Sequence, residues 1–564
     1  MLIIFLDIKM LWQAVFLFSW IKLIITEDRI VPTDQGLVRG YKVPEEEYFV
    51  FYGIPYATAP TGPNRFKAPL PPPTFEEPYE AVQQNIVCPQ NLDYITNVDL
   101  IAQEDCLITN IYVPDTEESN LSVLVYIHGG AYQMGYGNTK TGIHLLNSKK
   151  IIIVNFNYRL GPHGLLCLGT KDVPGNAGMK DQVALLRWVQ RNIANFGGNP
   201  NDVTIAGWSA GASAVDLVMI SKIARGLFHK VIPESGSNTA SFSIQVDPIA
   251  NAKKIARELN FNNVDDLEAL EEFYKNATFE ELFSVDVMNE KDTSTVFAPC
   301  VERNIGEEMF LDDIPINILK SGDYPKLPML YGISNMEGIH RVPNFYTWKK
   351  MMNEKFSDFL PEDLIFESER QKEEVATMIK QFYFGNNPVS ENTILNYIQY
   401  FTDVMFGYGT AKAVKLQVEA GNNQIYLYEY SFTDEDTDFI PFTRIRGATH
   451  CAQTFAVLDV TNEENLSEEY RCMKKVMRDL WLSFITTGNP VPTNSSYPAW
   501  PPVGLNRSPY MSLNNSLELR SPFLHHHGYF WDQIYHLFKM HFVFLHYFIY
   551  TCNKKNLQYA ILII

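Results

Sequence analysis

Residues 203–225 read VTIAGWSAGASAVDLVMISKIAR. Val203 to Trp208 is a short β-branched and apolar run, the pattern of a strand buried on both faces. Ser209 to Arg225 then carries a helical pattern. At their junction stands Gly207-Trp208-Ser209-Ala210-Gly211, a G-x-S-x-G motif at a strand-to-helix turn. A sharp turn there forces the serine into a strained backbone position, and the small flanking residues let strand and helix approach. The hydroxyl stands exposed, with a helix N-terminus behind it to favour developing negative charge. G-x-S-x-G alone is a common Gly/Ser-rich turn; the strand before it and the helix after it mark Ser209 as a candidate nucleophile.

Further short apolar runs read as strands on either side of the motif: Ser122 to His128, Ile151 to Tyr158, Lys230 to Pro233, Pro328 to Ile333 and Gln424 to Tyr430. Their near-continuous apolar character fits a largely parallel sheet. Helical patterns alternate with them, at Asn176 to Asn195 and at Glu463 to Thr487. The alternation predicts an α/β fold, a large central sheet with helices on both faces. The more helical, more charged stretch from about Asp247 to Tyr400 is read as excursions around a substrate entrance, not as a second domain. One of the strands ends in His128-Gly129-Gly130-Ala131-Tyr132. Consecutive glycines there let backbone N–H groups face a site without hindrance from Cβ atoms. An HGG-type turn upstream of the serine turn supplies the two parts of an oxyanion-binding site.

The 564 residues carry 46 Lys+Arg against 65 Asp+Glu, a net charge of −19. That excludes nucleic-acid binding through a basic surface. An aromatic content of 13% with only 20% charged residues excludes a disordered chain. No internal repeat is visible, and the motifs argue for one domain over residues 27–536.

Both chain ends are apolar. Residues 1–26 fit a signal peptide: Met10 to Ile21 is free of charge and too short to span a bilayer. Met540 to Asn553 is also too short for a membrane span, and residues 537–564 are read as an extra tail, not an anchor. Membrane association is therefore not expected. Of the 7 Cys, Cys88 and Cys106 are the best disulfide pair, lying in a polar segment short of helix signals. Cys167 and Cys300 sit in apolar contexts and read as small buried hydrophobes. No Cys/His spacing suggests a metal site, and the His525-His526-His527 run reads as a solvated or edge segment. Sequons at Asn120, Asn276, Asn465, Asn494, Asn506 and Asn514 fit a secreted glycoprotein.

With these residues in place, the chain from about Ile30 to Ile534 resembles the type-B carboxylesterase/cholinesterase family of α/β-hydrolases, and most of all insect carboxylesterases. The resemblance rests on the serine turn, on Phe51-Tyr52-Gly53-Ile54-Pro55-Tyr56-Ala57, Arg65-Phe66, Glu104-Asp105-Cys106-Leu107, Asn157-Tyr158-Arg159-Leu160-Gly161, Asn176-Ala177-Gly178-Met179-Lys180-Asp181-Gln182 and Glu234-Ser235-Gly236-Ser237. It implies an α/β-hydrolase fold with helical insertions around the active-site entrance. It implies Glu337, in a Glu-Gly step, and His450, in Gly-x-x-His, as partners of Ser209, in the chain order serine, acid, histidine. It also implies oxyanion donors at Gly130, Ala131 and Ala210, ion pairs Arg65–Glu104 and Arg159–Asp181, and support of the acid by Ser235. No cofactor is implied, and the partner is a small-molecule ester.

Two departures from the family pattern bear on substrate. Ala131 stands where a third glycine is usual, which keeps the N–H but makes a positive φ costly. Trp208 stands where many relatives carry Glu and juvenile hormone esterases typically Gln, and the Cys88–Cys106 loop has no Trp. These features argue against acetylcholine and leave a neutral, fairly lipophilic ester. The expected function is a secreted serine carboxylesterase. The alternatives are a catalytically dead adhesion relative and a stoichiometric ester or organophosphate scavenger.

Overall fold

The computed structural model describes residues 27–95, 99–139, 141–458 and 463–538. The expected signal peptide and the apolar stretch Met540 to Asn553 lie outside the described residues. The centre is a 13-stranded sheet. Its long path comprises β1 (Asp28–Thr33), β2 (Gly36–Lys42), β3 (Tyr48–Pro55), β4 (Ile108–Pro114), β5 (Leu121–Ile127), β6 (Ile151–Phe156), β7 (Gly198–Trp208), β8 (Lys230–Glu234), β9 (Met329–Ser334), β10 (Ile425–Tyr430), β11 (Tyr510–Leu513) and β12 (Leu517–Arg520). Across the sheet the order is β1-β2-β3-β4-β6-β5-β7-β8-β9-β10-β11-β12, with the short strand Tyr79–Glu80 beside β2. From β6 to β11 every neighbouring pair is parallel. The antiparallel pairs lie at the two margins.

The parallel strands are apolar throughout because helices cover both faces. In β5, Val123, Val125 and Ile127 face one side and pack with α1 (Ala177–Asn192) and α2 (Ala210–Ile220). Leu124 and Tyr126 face the other, against Met477, Trp481 and Phe484 of α3 (Glu468–Thr487). A separate cluster that includes Phe345, Tyr397, Phe401 and Trp531 holds the helical excursions together. Among the described residues no helix is long and apolar enough to cross a membrane.

The expected ion pairs form. Arg159 Nη2 lies 2.6 Å from Asp181 Oδ1 in full burial, and its Nη1 donates to the carbonyls of Arg65 and Lys67. Arg65 Nε lies 2.9 Å from Glu104 Oε1. A buried pair of this kind persists only because its remaining donors are satisfied.

The structure departs from the sequence reading in two places, the start of β7 and the state of two cysteines. β7 begins at Gly198, earlier than the apolar run suggests; polar residues 199–202 form an irregular lead-in between two paired segments. Cys88 and Cys106 are bonded as expected, but Cys167 and Cys300 are a second disulfide and not two buried thiols. Their sequence separation of 133 residues hid the pairing. Gly175 makes room for it, since a Cβ there would fall 2.6 Å from Cys167 Sγ and 2.7 Å from Cys300 Sγ. Asn176 clamps the same spot, donating to Cys300 O at 2.7 Å and accepting from Cys300 N at 2.8 Å. The three-histidine run opens α4 (His525–Phe538); His525 and His526 are exposed as expected, and His527 Nδ1 lies 2.5 Å from Asp403 Oδ2. Of the sequon asparagines, Asn514 is half-buried and the other five are exposed.

Candidate active site

The candidate residues collect at the carboxyl ends of five adjacent parallel strands, the edge where open α/β sheets bind ligands. His128 follows β5, Ser209 follows β7, Ser235 follows β8 and Glu337 closely follows β9. His450 lies in the long connection after β10. That connection is pinned to the segment after β9, where Met336 N donates to Ala448 O at 3.1 Å and Ala448 N to Asn335 Oδ1 at 3.1 Å.

The serine turn is strained as its motif requires. Ser209 sits at φ 56° and ψ −123°, outside the regions an L-residue prefers. Its N–H donates to Glu234 O at 2.8 Å, and its carbonyl accepts from Ala212 and Ser213. Close approach decides the glycines: a Cβ on Gly207 would lie 2.4 Å from Gly211 O, and one on Gly211 2.3 Å from Ile127 O.

Ser209, Glu337 and His450 are brought together by hydrogen bonds spanning more than a hundred residues. His450 Nε2 lies 2.9 Å from Ser209 Oγ, and His450 Nδ1 lies 2.5 Å from Glu337 Oε2. The carboxylate fixes the proton on Nδ1 and leaves the Nε2 lone pair to accept the serine hydroxyl. Glu337 is fully buried and is held through its other oxygen, which accepts from Ser334 N at 2.7 Å and Ser235 Oγ at 2.5 Å.

The sequence reading missed much of what surrounds this chain. Gln453 Nε2 donates to Ser235 Oγ, and Gln453 Oε1 accepts from Ser334 Oγ, both at 2.6 Å. Glu234 is a second buried carboxyl beside Glu337, with Tyr428 Oη 2.6 Å from each of its oxygens. Burial pushes its carboxyl well above the usual range, with the Glu337 charge adding to the rise, which favours the protonated form of Glu234. The Phe406 ring lies 4.3 Å from that of His450, the His340 ring 5.2 Å, and Cys451 Sγ is 3.3 Å from His450 Nε2. Only Glu234 stood in a quoted motif; the others carry no local signal.

The HGG turn is strained as well. Ala131 and Tyr132 adopt φ 54° and 61°, so the position usually glycine is a left-handed alanine. Gln133 Nε2 braces the turn by donating to Phe297 O at 2.8 Å and Ala131 O at 3.3 Å. Burial pushes the His128 imidazole down to about 4, so it is neutral and contributes no charge here. The N–H groups of Gly130, Ala131 and Ala210 donate to nothing among the described residues. Gly130, Ala131, Ser209, His340 and His450 all keep partial exposure.

A large, mostly parallel sheet flanked by helices, with a serine on a strand-to-helix turn at its carboxyl edge, defines an α/β-hydrolase. The Carboxylesterase family profile matches residues 27–531, and the chain belongs to that family. It is similar to Esterase FE4 of Myzus persicae, 34% identical over 501 residues that cover 84% of this chain and 87% of the relative. It is similar to a carboxylic ester hydrolase of Bombus ignitus, 33% identical with 82% and 85% covered. The juvenile hormone esterase of Manduca sexta, solved with OTFP covalently attached, superposes with a TM-score of 0.79 at 28% identity, over 90% of this chain and all of that one. The protein is a serine carboxylesterase acting on small-molecule esters.

Proposed function

We propose that Ser209, His450 and Glu337 are the catalytic triad of a secreted enzyme that hydrolyses neutral, lipophilic carboxylic esters. The observation that carries this reading is the unbroken hydrogen-bonded chain from Glu337 through His450 to Ser209 Oγ, with the N–H groups of Gly130, Ala131 and Ala210 uncommitted among the described residues. His450 Nε2 takes the Ser209 proton as Oγ attacks the ester carbonyl. Glu337 orients the imidazole and stabilises its charged form. The N–H groups of Gly130, Ala131 and Ala210 receive the developing oxyanion, each worth on the order of 100-fold in rate. The alcohol leaves with the proton, and water activated by His450 hydrolyses the acyl-enzyme.

Trp208 before the serine and Phe406 on His450 give the site apolar walls that suit a lipophilic ester, and the Cys88–Cys106 loop offers no indole for a cation. The apolar leader at 1–26, two disulfides and accessible sequon asparagines support secretion and glycosylation of a single domain. An intact hydrogen-bonded triad speaks against the adhesion relative, which has no use for one. The test is hydrolysis of a short 1-naphthyl or p-nitrophenyl ester by the wild type and Ser209→Ala. Turnover lost in the variant supports the enzyme; a single Ser209-dependent burst without turnover would make the protein a scavenger.

A further inference from the structure

A second histidine faces the proposed reaction centre, and its chemistry is fixed by the backbone. His340 lies in the single 3-10 turn Glu337–Arg341, which begins with the acid itself. Its Nδ1 is 2.7 Å from Glu337 O. A carbonyl only accepts, so Nδ1 carries the proton and Nε2 is a bare lone pair. Nε2 makes no hydrogen bond among the described residues, yet it is not sealed in, since the residue keeps partial exposure. Burial, then the neighbouring His450 and Arg341, holds the imidazole well below its usual range, which favours the neutral ring and its lone pair. The His340 and His450 rings lie 5.2 Å apart with Phe406 against both, at 5.4 Å and 4.3 Å.

The site thus presents two acceptors side by side. Once Ser209 is acylated, its Oγ no longer donates to His450 Nε2, which leaves that lone pair to a water and to the weak Cys451 thiol 3.3 Å away. A water donating to two acceptors at about 2.8 Å each needs nitrogens roughly 4.5–5.5 Å apart, and ring centres 5.2 Å apart allow that separation. We propose that His340 Nε2 accepts the second proton of the deacylating water and so aims its oxygen at the acyl carbon. This rests on the triad reading above. In the step, the water oxygen bonds to the acyl carbon while one water proton moves to His450 Nε2. The tetrahedral intermediate collapses, the carbon–Oγ bond breaks, and the proton on His450 passes to Ser209 Oγ as the carboxylic acid leaves. His340 holds the remaining O–H throughout and neither gains nor loses a proton.

The experiment follows acyl-enzyme formation and breakdown separately with p-nitrophenyl esters in the wild type, His340→Phe and His340→Gln. The expected result for His340→Phe is a p-nitrophenol burst whose rate stays within about threefold, followed by turnover slowed about 10- to 100-fold. Turnover should then be equal for esters that share an acyl group but differ in alcohol. His340→Gln, whose carbonyl can accept, should recover most of the loss. Added methanol separates positioning from general damage. Methanol has one hydroxyl proton, which goes to His450, so methanolysis should suffer far less than hydrolysis in His340→Phe. Turnover unchanged in His340→Phe, a burst slowed in step with turnover, or equal loss of methanolysis and hydrolysis would each overturn the proposal. If His340→Phe does not fold, the partition between methanol and water in His340→Leu, compared with His340→Gln, decides it in the same way. Loss of the burst in Ser209→Ala is the separate check on the triad; if the burst persists there, the triad reading falls and this inference with it.

Discussion

Gln453 and Ser235, 218 positions apart in the chain, are joined by a 2.6 Å hydrogen bond directly beneath the acid. Ser235 Oγ can donate only once, and the Gln453 amide fills its acceptor side, so its proton is aimed at Glu337. Removing a buried hydrogen bond to a charged group costs about 1.5–3 kcal/mol. Ser235→Ala should therefore lower kcat roughly 10- to 100-fold through a misplaced Glu337, with KM within about twofold. Gln453→Leu should act in the same direction by about 10-fold. Steady-state kinetics beside thermal melts would check this; an unchanged kcat in folded Ser235→Ala would sink it.

Ala131 carries the strain of the HGG turn at φ 54°. A left-handed alanine costs about 1 kcal/mol, which glycine would relieve while losing a similar amount to unfolded-chain entropy. Ala131→Gly should keep kcat within about threefold and stability within about 0.5 kcal/mol. Ala131→Val places a β-branched side chain in the same conformation and should lose about 1–2 kcal/mol. Denaturant melts and an ester assay on both variants distinguish this from an unstrained turn, in which Val would be tolerated.

The two disulfides close loops of very different size, with separations of 18 and 133 residues. Loop-closure entropy assigns about 3 kcal/mol to the shorter and about 5 kcal/mol to the longer. Replacing both Cys167 and Cys300 with Ala should cost more stability than replacing both Cys88 and Cys106. The comparison is made by chemical denaturation, and the reverse order would contradict it.

Asp216 is fully buried in α2, accepting from Asn238 N and Tyr331 Oη, each at 2.8 Å. Burial pushes its carboxyl up to about 7. Between about pH 4 and 7 the folded chain therefore keeps a proton that the unfolded chain releases. Stability from this group falls as pH rises through that window, by up to about 4 kcal/mol, and is flat above it. Asp216→Asn removes the effect, so its melting temperature should gain on the wild type from pH 5 to pH 8. Parallel melting curves across that range would refute the assignment.

Much of the fold was legible because its signals are local. A strand buried on both faces must be apolar along its whole length, so β5 to β10 stand out within a few residues of their observed limits. The serine turn was legible because only small residues allow strand and helix to meet there. Glu337 and His450 were legible only through family resemblance, since nothing in their own neighbourhoods separates them from other carboxylates and histidines. Trp208 and Ala131, by contrast, announced themselves as departures from the family pattern.

The amino-acid sequence by itself determined the class of fold, the serine turn that carries the proposed nucleophile and the glycine-rich turn, because periodicity and backbone sterics act over neighbouring residues. Tertiary structure alone decided the Cys167–Cys300 bond, the Gln453–Ser235 brace, the raised pKa of Glu234 and the place of His340 beside His450. Each of these depends on burial or on contacts between segments far apart in the chain. Desolvation and hydrogen-bond geometry are properties of the folded surroundings, and no local stretch of sequence encodes them.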